Sequence, residues 1–134
     1  MQGVPSIALS QFYGPALEGH DTFSAAKEFG LKAIQSILDA GQWNGDYATT
    51  YYNVNFPPCL AHDVKGQKFT AQGFRGGRFS TDPRDNGGVR IIGGPQAVAS
   101  KPGTDVAENL DGFITIIPCQ LDLTDHTILA KLNK

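Results

Sequence analysis

Side chains able to do chemistry are sparse in this chain, and few stand at the spacings that chemistry needs. Glu18, His20 and Asp21 are the densest set of possible metal ligands, a carboxylate–imidazole group of the kind that takes a divalent cation. No further ligand group stands at a diagnostic spacing, so the set reads as a solvated loop running into a helix cap. His126 sits near Asp122 and Asp125 at the start of an expected helix. Asp and Thr side chains there should cap that helix, with the imidazole bonded to a carboxylate or to backbone. Catalysis by His126 is the competing reading, because imidazole titrates near neutral pH. His62-Asp63 falls in a polar linker and reads as surface.

Common nucleophile and phosphate-binding signatures are missing. The Gly-rich stretches lack the Gly-Lys-Ser/Thr ending of a phosphate loop, and no GxGxxG follows a strand. No GxSxG elbow, HExxH or CxxC occurs, and no two aspartates are adjacent. Gly73-Phe74-Arg75-Gly76-Gly77-Arg78-Phe79 resembles an RGG-type nucleic-acid segment. It occurs once, in a chain of net charge −2, so a hairpin arm with basic residues is the preferred reading. Cys59 and Cys119 each follow a proline and read as buried, inert thiols.

The elements that must carry these residues can be traced along the chain. Residues 4–10 form a short, mostly apolar run that reads as a buried strand inside a parallel sheet. Such a strand needs neighbours on both sides, and only Met1, Gln2 and Gly3 precede it, so an N-terminal portion is expected ahead of it. Asp21 or Thr22 should cap a helix over 22–39 with Phe23, Ala26, Gly30, Ile34, Ile37 and Leu38 on one face. Gly41 is its stop. Over residues 50–56, Tyr52, Val54 and Phe56 alternate with Asn53 and Asn55, a strand with one apolar and one amide face that ends at Pro57-Pro58.

Residues 65–74 and 88–94 are two further β candidates. Asn86-Gly87 is a strong hairpin-turn signal between them, and the pair should form a protruding arm. Thr104 or Asp105 should cap a short helix that ends at Asp111-Gly112. Residues 113–117 read as a strand closed by Pro118. Thr124 or Asp125 should then cap a last helix with Ile128, Leu129 and Leu132 on one face.

A length of 134 residues fits one domain, or part of one. An apolar fraction of 40% with eight Phe and four Tyr excludes a disordered chain. The 16 glycines and 8 prolines point to many turns, without a collagen period. The charge balance offers no basic stripe for nucleic acid, and no apolar run approaches bilayer length, so neither nucleic acid nor a membrane is an expected partner. The first residues lack the basic and apolar regions of a signal peptide, and two cysteines make neither a disulfide framework nor a zinc site. A cytoplasmic location is expected.

The order of motifs adds what those residues taken singly do not supply. Gly3-Val4-Pro5-Ser6-Ile7-Ala8-Leu9-Ser10, Tyr52-Asn53-Val54-Asn55-Phe56-Pro57, Gly103-Thr104-Asp105 and residues 111–124, Asp-Gly-Phe-Ile-Thr-Ile-Ile-Pro-Cys-Gln-Leu-Asp-Leu-Thr, follow one another as in the SurE family. These are metal-dependent 5′/3′-nucleotidases, also described as survival protein E or stationary-phase survival acid phosphatases, and essentially the whole chain resembles their C-terminal half. The resemblance implies an α/β fold, the C-terminal part of a three-layer α/β/α arrangement with a protruding β-hairpin arm and a C-terminal helix. Residues 1–58 would then end the Rossmann-like core, 59–103 would be arm and loop, and 104–134 a return strand and tail.

The resemblance also implies phosphomonoester hydrolysis of a nucleoside monophosphate by the complete protein, with a divalent ion, manganese or magnesium, polarising the phosphoryl oxygens. In the family an Asn-Asp-Asp-Gly motif, a serine and an asparagine hold that ion. All lie ahead of the region matched here, so no metal ligand or catalytic residue carries over, and the chain alone is expected to be inactive. Ligands in open α/β sheets sit outside the carboxyl ends of strands. Ser10 and the loop 11–19 are therefore candidates for the pocket rim, with Asn53 and Asn55 orienting loops and Thr104 and Asp105 capping a helix nearby. Structural turn bonds and caps are the competing role for each. The arm and tail imply homo-oligomers, dimers or tetramers. A non-catalytic oligomerisation module is the alternative function, and an RNA binder using Arg75, Arg78, Arg84 and Arg90 is a third. An open apolar edge on the first strand would also make the isolated chain poorly soluble.

Overall fold

The computed structural model describes residues 4–12, 17–41, 43, 50–74, 77–96 and 101–133. In chain order its elements are β1 (Ser6–Gln11), α1 (Ser24–Ala40), β2 (Thr50–Phe56), β3 (Gln67–Phe69), β4 (Gly77–Pro83), β5 (Val89–Gln96), α2 (Asp105–Leu110), β6 (Ile114–Gln120) and α3 (His126–Leu132). A four-stranded sheet runs in the order β1-β2-β6-β3. The strands β1 and β2 are parallel and joined through α1, β6 lies antiparallel to β2, and β3 is parallel to β6. β4 and β5 pair with each other as a separate antiparallel hairpin. The fold is mixed α/β, as the element order predicts.

Alternation along β2 builds the core. Tyr52, Val54 and Phe56 are all buried, while Asn53 and Asn55 on the other face are half-buried. The helix α1 lies over the apolar face. Ala25, Ala33 and Ile37 pack there with Ile114 and Ile116 of β6, and Ala26 and Phe29 flank them. Alanines on this face let the helix approach the sheet closely. That choice turns Phe23 and Leu38 outward, against the stripe expected from spacing alone. The helix also starts later than residue 22. Asp21 bonds the Phe23 N–H at 3.1 Å through Oδ1 and the Ser24 N–H at 3.1 Å through its carbonyl, a turn just ahead of the helix and not a side-chain cap. Gly41 ends α1 with φ of 59°, a left-handed position that suits glycine.

The structure corrects several boundaries. Among the described residues β1 stands at the sheet edge, the open edge expected of the first strand, so Ala8, Leu9 and Ser10 are exposed and not buried on both faces as the apolar run by itself predicts. Residues 65–74 do not form the arm. Gln67–Phe69 joins the main sheet beside β6, and the arm's first strand is Gly77–Pro83, a stretch that its flanking Gly and Pro make look like a connection. The turn falls at Asn86-Gly87 as expected, closed by Arg84 N–H to Gly88 O at 2.9 Å. β6 runs through Pro118 to Gln120. Its pairing with β3 stops at Ile116, so on that side no donor is needed at residue 118. Asp125 caps α3, accepting the Ile128 N–H at 3.0 Å, but Ile128, Leu129 and Leu132 are exposed.

This burial pattern separates two substitutions. Phe56→Ala removes a fully buried ring and should cost about 3–5 kcal/mol. Leu31→Ala, at a position 79% exposed, should stay within about 0.5 kcal/mol. Urea unfolding of the two variants beside the parent checks both.

Candidate functional site

Two parallel strands end side by side, and the residues one short of their ends, both polar, meet. Ser10 and Asn55 are register partners on β1 and β2, on the face opposite to Tyr52, Val54 and Phe56. The Ser10 hydroxyl donates to Asn55 Oδ1 at 2.5 Å. Spending its oxygen on Ser10 directs the Asn55 amide nitrogen, with its two N–H donors, elsewhere. The Asn55 carbonyl in turn accepts Asn109 Nδ2 at 3.0 Å, and the same nitrogen approaches Phe113 O at 3.4 Å. Asn109 is buried near the end of α2.

On the opposite face the next residue, Gln11, fastens the strand end to α1. Its Oε1 accepts the Ala26 N–H at 3.2 Å in the helix's first turn. This satisfies a donor that the helix itself leaves unpaired. Among the described residues the buried Gln11 Nε2 has no hydrogen-bond partner. Ser24 Oγ accepts the Ala61 N–H at 3.2 Å, and the Phe12 N–H reaches Phe56 O at 3.1 Å. The carboxyl ends of β1 and β2 and the start of α1 therefore converge. Residues 13–16 of the expected rim loop lie outside the described residues.

The other sequence candidates fall elsewhere. Asn53 shares the Asn55 face one step back, beside Ala8. Thr104 and Asp105 stand at the far end of α2 from Asn109, about one helical turn away. Thr104 does not cap α2 with its side chain; its hydroxyl donates to Lys101 O at 2.6 Å. Asp105 Oδ1 accepts the N–H groups of Gly73 at 2.6 Å and Val106 at 2.8 Å. The Asp105 N–H returns to Ala71 O at 2.9 Å, so this pair clamps the root of the arm. A Cβ on Gly73 would meet Thr104 and Asp105 atoms at 3.0 Å, which explains the glycine there. Arg75 lies outside the described residues, as does the side chain of Arg78.

Charged pairs frame α2. Lys68 Nζ sits 3.6 Å from the Phe113 ring centroid and pairs with the Glu108 carboxylate. Glu108 Oε1 also accepts the Gly103 N–H at 3.0 Å. The Lys68 bond, then the Gly103 N–H, hold the Glu108 carboxyl below its ordinary value. Lys65, 2.8 Å from Asp111, does the same to that carboxyl.

The remaining clusters are local. Asp21 holds Lys27 at 2.7 Å, which lowers its pKa, beside exposed Glu18 and His20. On the tail, Asp122 meets the Thr124 N–H at 2.9 Å and His126 Nε2 at 2.5 Å, and bonds to Thr124 and His126 depress its pKa far below the usual carboxylate range. Among the described residues, no three His, Cys, Asp or Glu side chains are grouped to hold a metal ion. Ser10 and Asn55 offer only neutral oxygens, and one of those is already bonded. A hard divalent cation is held by several grouped oxygens, carboxylates usually among them, so the described residues around Ser10 and Asn55 do not by themselves fit one.

Asn109 and Gln11 carry this arrangement, and neither is legible from sequence pattern. Asn109 sits beside an exposed leucine, the reverse of what hydropathy predicts. The lowered Glu108 carboxyl sets a pH dependence. A depressed folded pKa contributes stability above the unfolded value, near 4.5, that is lost as pH falls through the folded one. Melting temperature should therefore fall in acid below pH 4.5, and Glu108→Gln should flatten part of that fall in thermal scans across pH.

Comparisons with known proteins agree on one family. The family model described as Survival protein SurE matches residues 1–78. A 5′-nucleotidase SurE from Cereibacter sphaeroides is 44% identical over 139 aligned residues, covering 99% of this chain and 53% of the relative. Another, from Ruegeria pomeroyi, is 45% identical, with 99% and 54% covered. The crystal structure of a SurE protein from Aquifex aeolicus superposes with a TM-score of 0.66 at 27% identity, covering 98% of this chain and 51% of that one. The chain thus spans about half the length of the curated relatives it matches.

Proposed function

Because the chain belongs to the SurE family, we propose that it serves a phosphomonoesterase that releases phosphate from nucleoside 5′- or 3′-monophosphates. The observation that carries this reading is the Ser10–Asn55 pair at the carboxyl ends of two parallel strands. The Asn55 amide hydrogens suit the acceptor-rich phosphate or ribose of such a substrate, and Ser10 keeps its lone pairs for a hydroxyl. Asn53 extends the same polar face. Thr104 and Asp105 act from a distance by holding the arm root. Manganese or magnesium, with its carboxylate ligands, belongs in this reading to parts of the family enzyme other than the residues described here.

A chimaera tests it. The segment of the Cereibacter sphaeroides relative that precedes the matched region is joined directly to the start of the matched residues of this chain, and phosphate release from AMP is measured with manganese. Turnover that chelation abolishes and Ser10→Ala weakens is the expected result, with none from the chain alone. A folded chimaera that releases no phosphate overturns the reading.

A second reading, a homo-oligomerisation module, rests on the arm. Register places Phe79, Val89 and Ile91 on one face of the hairpin, all strongly exposed, with Ser80, Asp82 and Arg90 on the other. A lone hairpin is marginal in water, so an apolar face of this kind asks for a partner, here a second copy. Sedimentation should show metal-independent self-association that Phe79→Ser with Ile91→Ser shifts towards monomer. A chain that is monomeric at high concentration excludes this role.

A further inference from the structure

We propose that Asn109 is a positioning residue for the Ser10–Asn55 pair; this rests on the reading of that pair as nucleotide-facing. Asn109 is 5% exposed, whereas the next residue, Leu110, is 55% exposed. A fold that buries an amide and leaves a leucine in water forgoes hydrophobic stabilisation at that site. Burial of the amide is tolerated because its donors are bonded. Both bonds go to main-chain carbonyls, Asn55 O at 3.0 Å and Phe113 O at 3.4 Å. Those carbonyls belong to the end of β2 and the lead-in to β6.

The geometry makes this more than a tether. A carbonyl lies in the rigid plane of its peptide unit, so holding Asn55 O fixes the orientation of the Asn55–Phe56 plane. The Asn55 side chain projects from the Cα at the edge of that plane. Its direction, and hence the 2.5 Å contact with Ser10, follows from where Asn109 holds the carbonyl. The helix that carries Asn109 is itself anchored at its other end, where Asp105 bonds Gly73 and Ala71. Asn109 therefore works from a fixed support. It sets the Asn55 amide hydrogens towards a phosphate or ribose without touching the ligand.

The test uses the full chain, isotopically labelled, with Asn109→Asp and Asn109→Ala. The aspartate keeps the shape but turns two donors into an acceptor that faces carbonyls. In nucleotide-free NMR spectra of both variants, the Asn55 side-chain NH2 signals and the Ser10 backbone amide should shift, with the Asn53 side-chain NH2 unmoved. Shifts confined to α2 and β6 amides with a lower melting temperature, and Asn55 signals unchanged, would mark Asn109 as merely structural and overturn the proposal. Where a variant does not fold, the parent chain decides. Slow solvent exchange of the Asn109 side-chain NH2 supports the hold on Asn55, and fast exchange overturns it. Titration with AMP separates the two ideas. Loss of AMP-induced shifts at Asn55 on Asn109→Asp supports positioning. A parent chain that shows no AMP-induced shifts counts against the nucleotide reading alone, because the nucleotide-free spectra still report what Asn109 does.

Discussion

A strand with two different faces holds this molecule together. Along β2, apolar and amide side chains alternate, and a strand must send successive side chains to opposite sides. One side is sealed under α1 by Tyr52, Val54 and Phe56, and the other carries Asn53 and Asn55. A slip of one residue would bury two amides and expose two aromatic rings and a valine. The register with β1 and β6 follows from that penalty. So does the meeting of Ser10 and Asn55, because the register that seals Val54 also brings those two side by side.

The same rule explains why so much of the core could be read from sequence. Alternation over residues 50–56 is a local signal, and β2 occupies those residues. The end of α1 was equally legible, since a glycine in a left-handed turn announces a stop. Features that depend on distant neighbours were not. The apolar run in β1 says nothing about which strands flank it, and it stands at an edge among the described residues. The inward face of α1 holds the expected Ala26 and Ile37 but departs from the expected stripe at Phe23 and Leu38, because close packing against the sheet selects small residues that spacing ranks below them. The arm's first strand departs from the expected 65–74 because glycine and proline mark strand ends as readily as loops.

The candidate site divides in the same way. Position along the chain places Ser10 and Asn55 at strand ends, and register joins them. Thr104 and Asp105 were expected at a helix start and are there, but the groups they bond come from residues 71–73 and from Lys101. Asn109 has no local signature, because an asparagine becomes a strut only when two carbonyls from other elements close on it. Family motifs in order identify the chain, although its chemical signatures make no self-sufficient site.

Strand order also bears on how the chain is made. A ribosome delivers β1, α1 and β2, then β3 and the arm, and only afterwards β6. Yet β6 lies between β2 and β3, which do not touch each other in the finished sheet. While β6 is still unmade, β2 and β3 each wait with an open edge, and the hydrophobic layer under α1 lacks Ile114 and Ile116. The nascent chain therefore carries an unfinished sheet from β2 until β6 is made. Non-local closure of this kind is slow and leaves strand edges open to wrong pairing. The residues that complete the core arrive after both strands that they join, which makes the interval before their arrival the time at which a chaperone has most to protect.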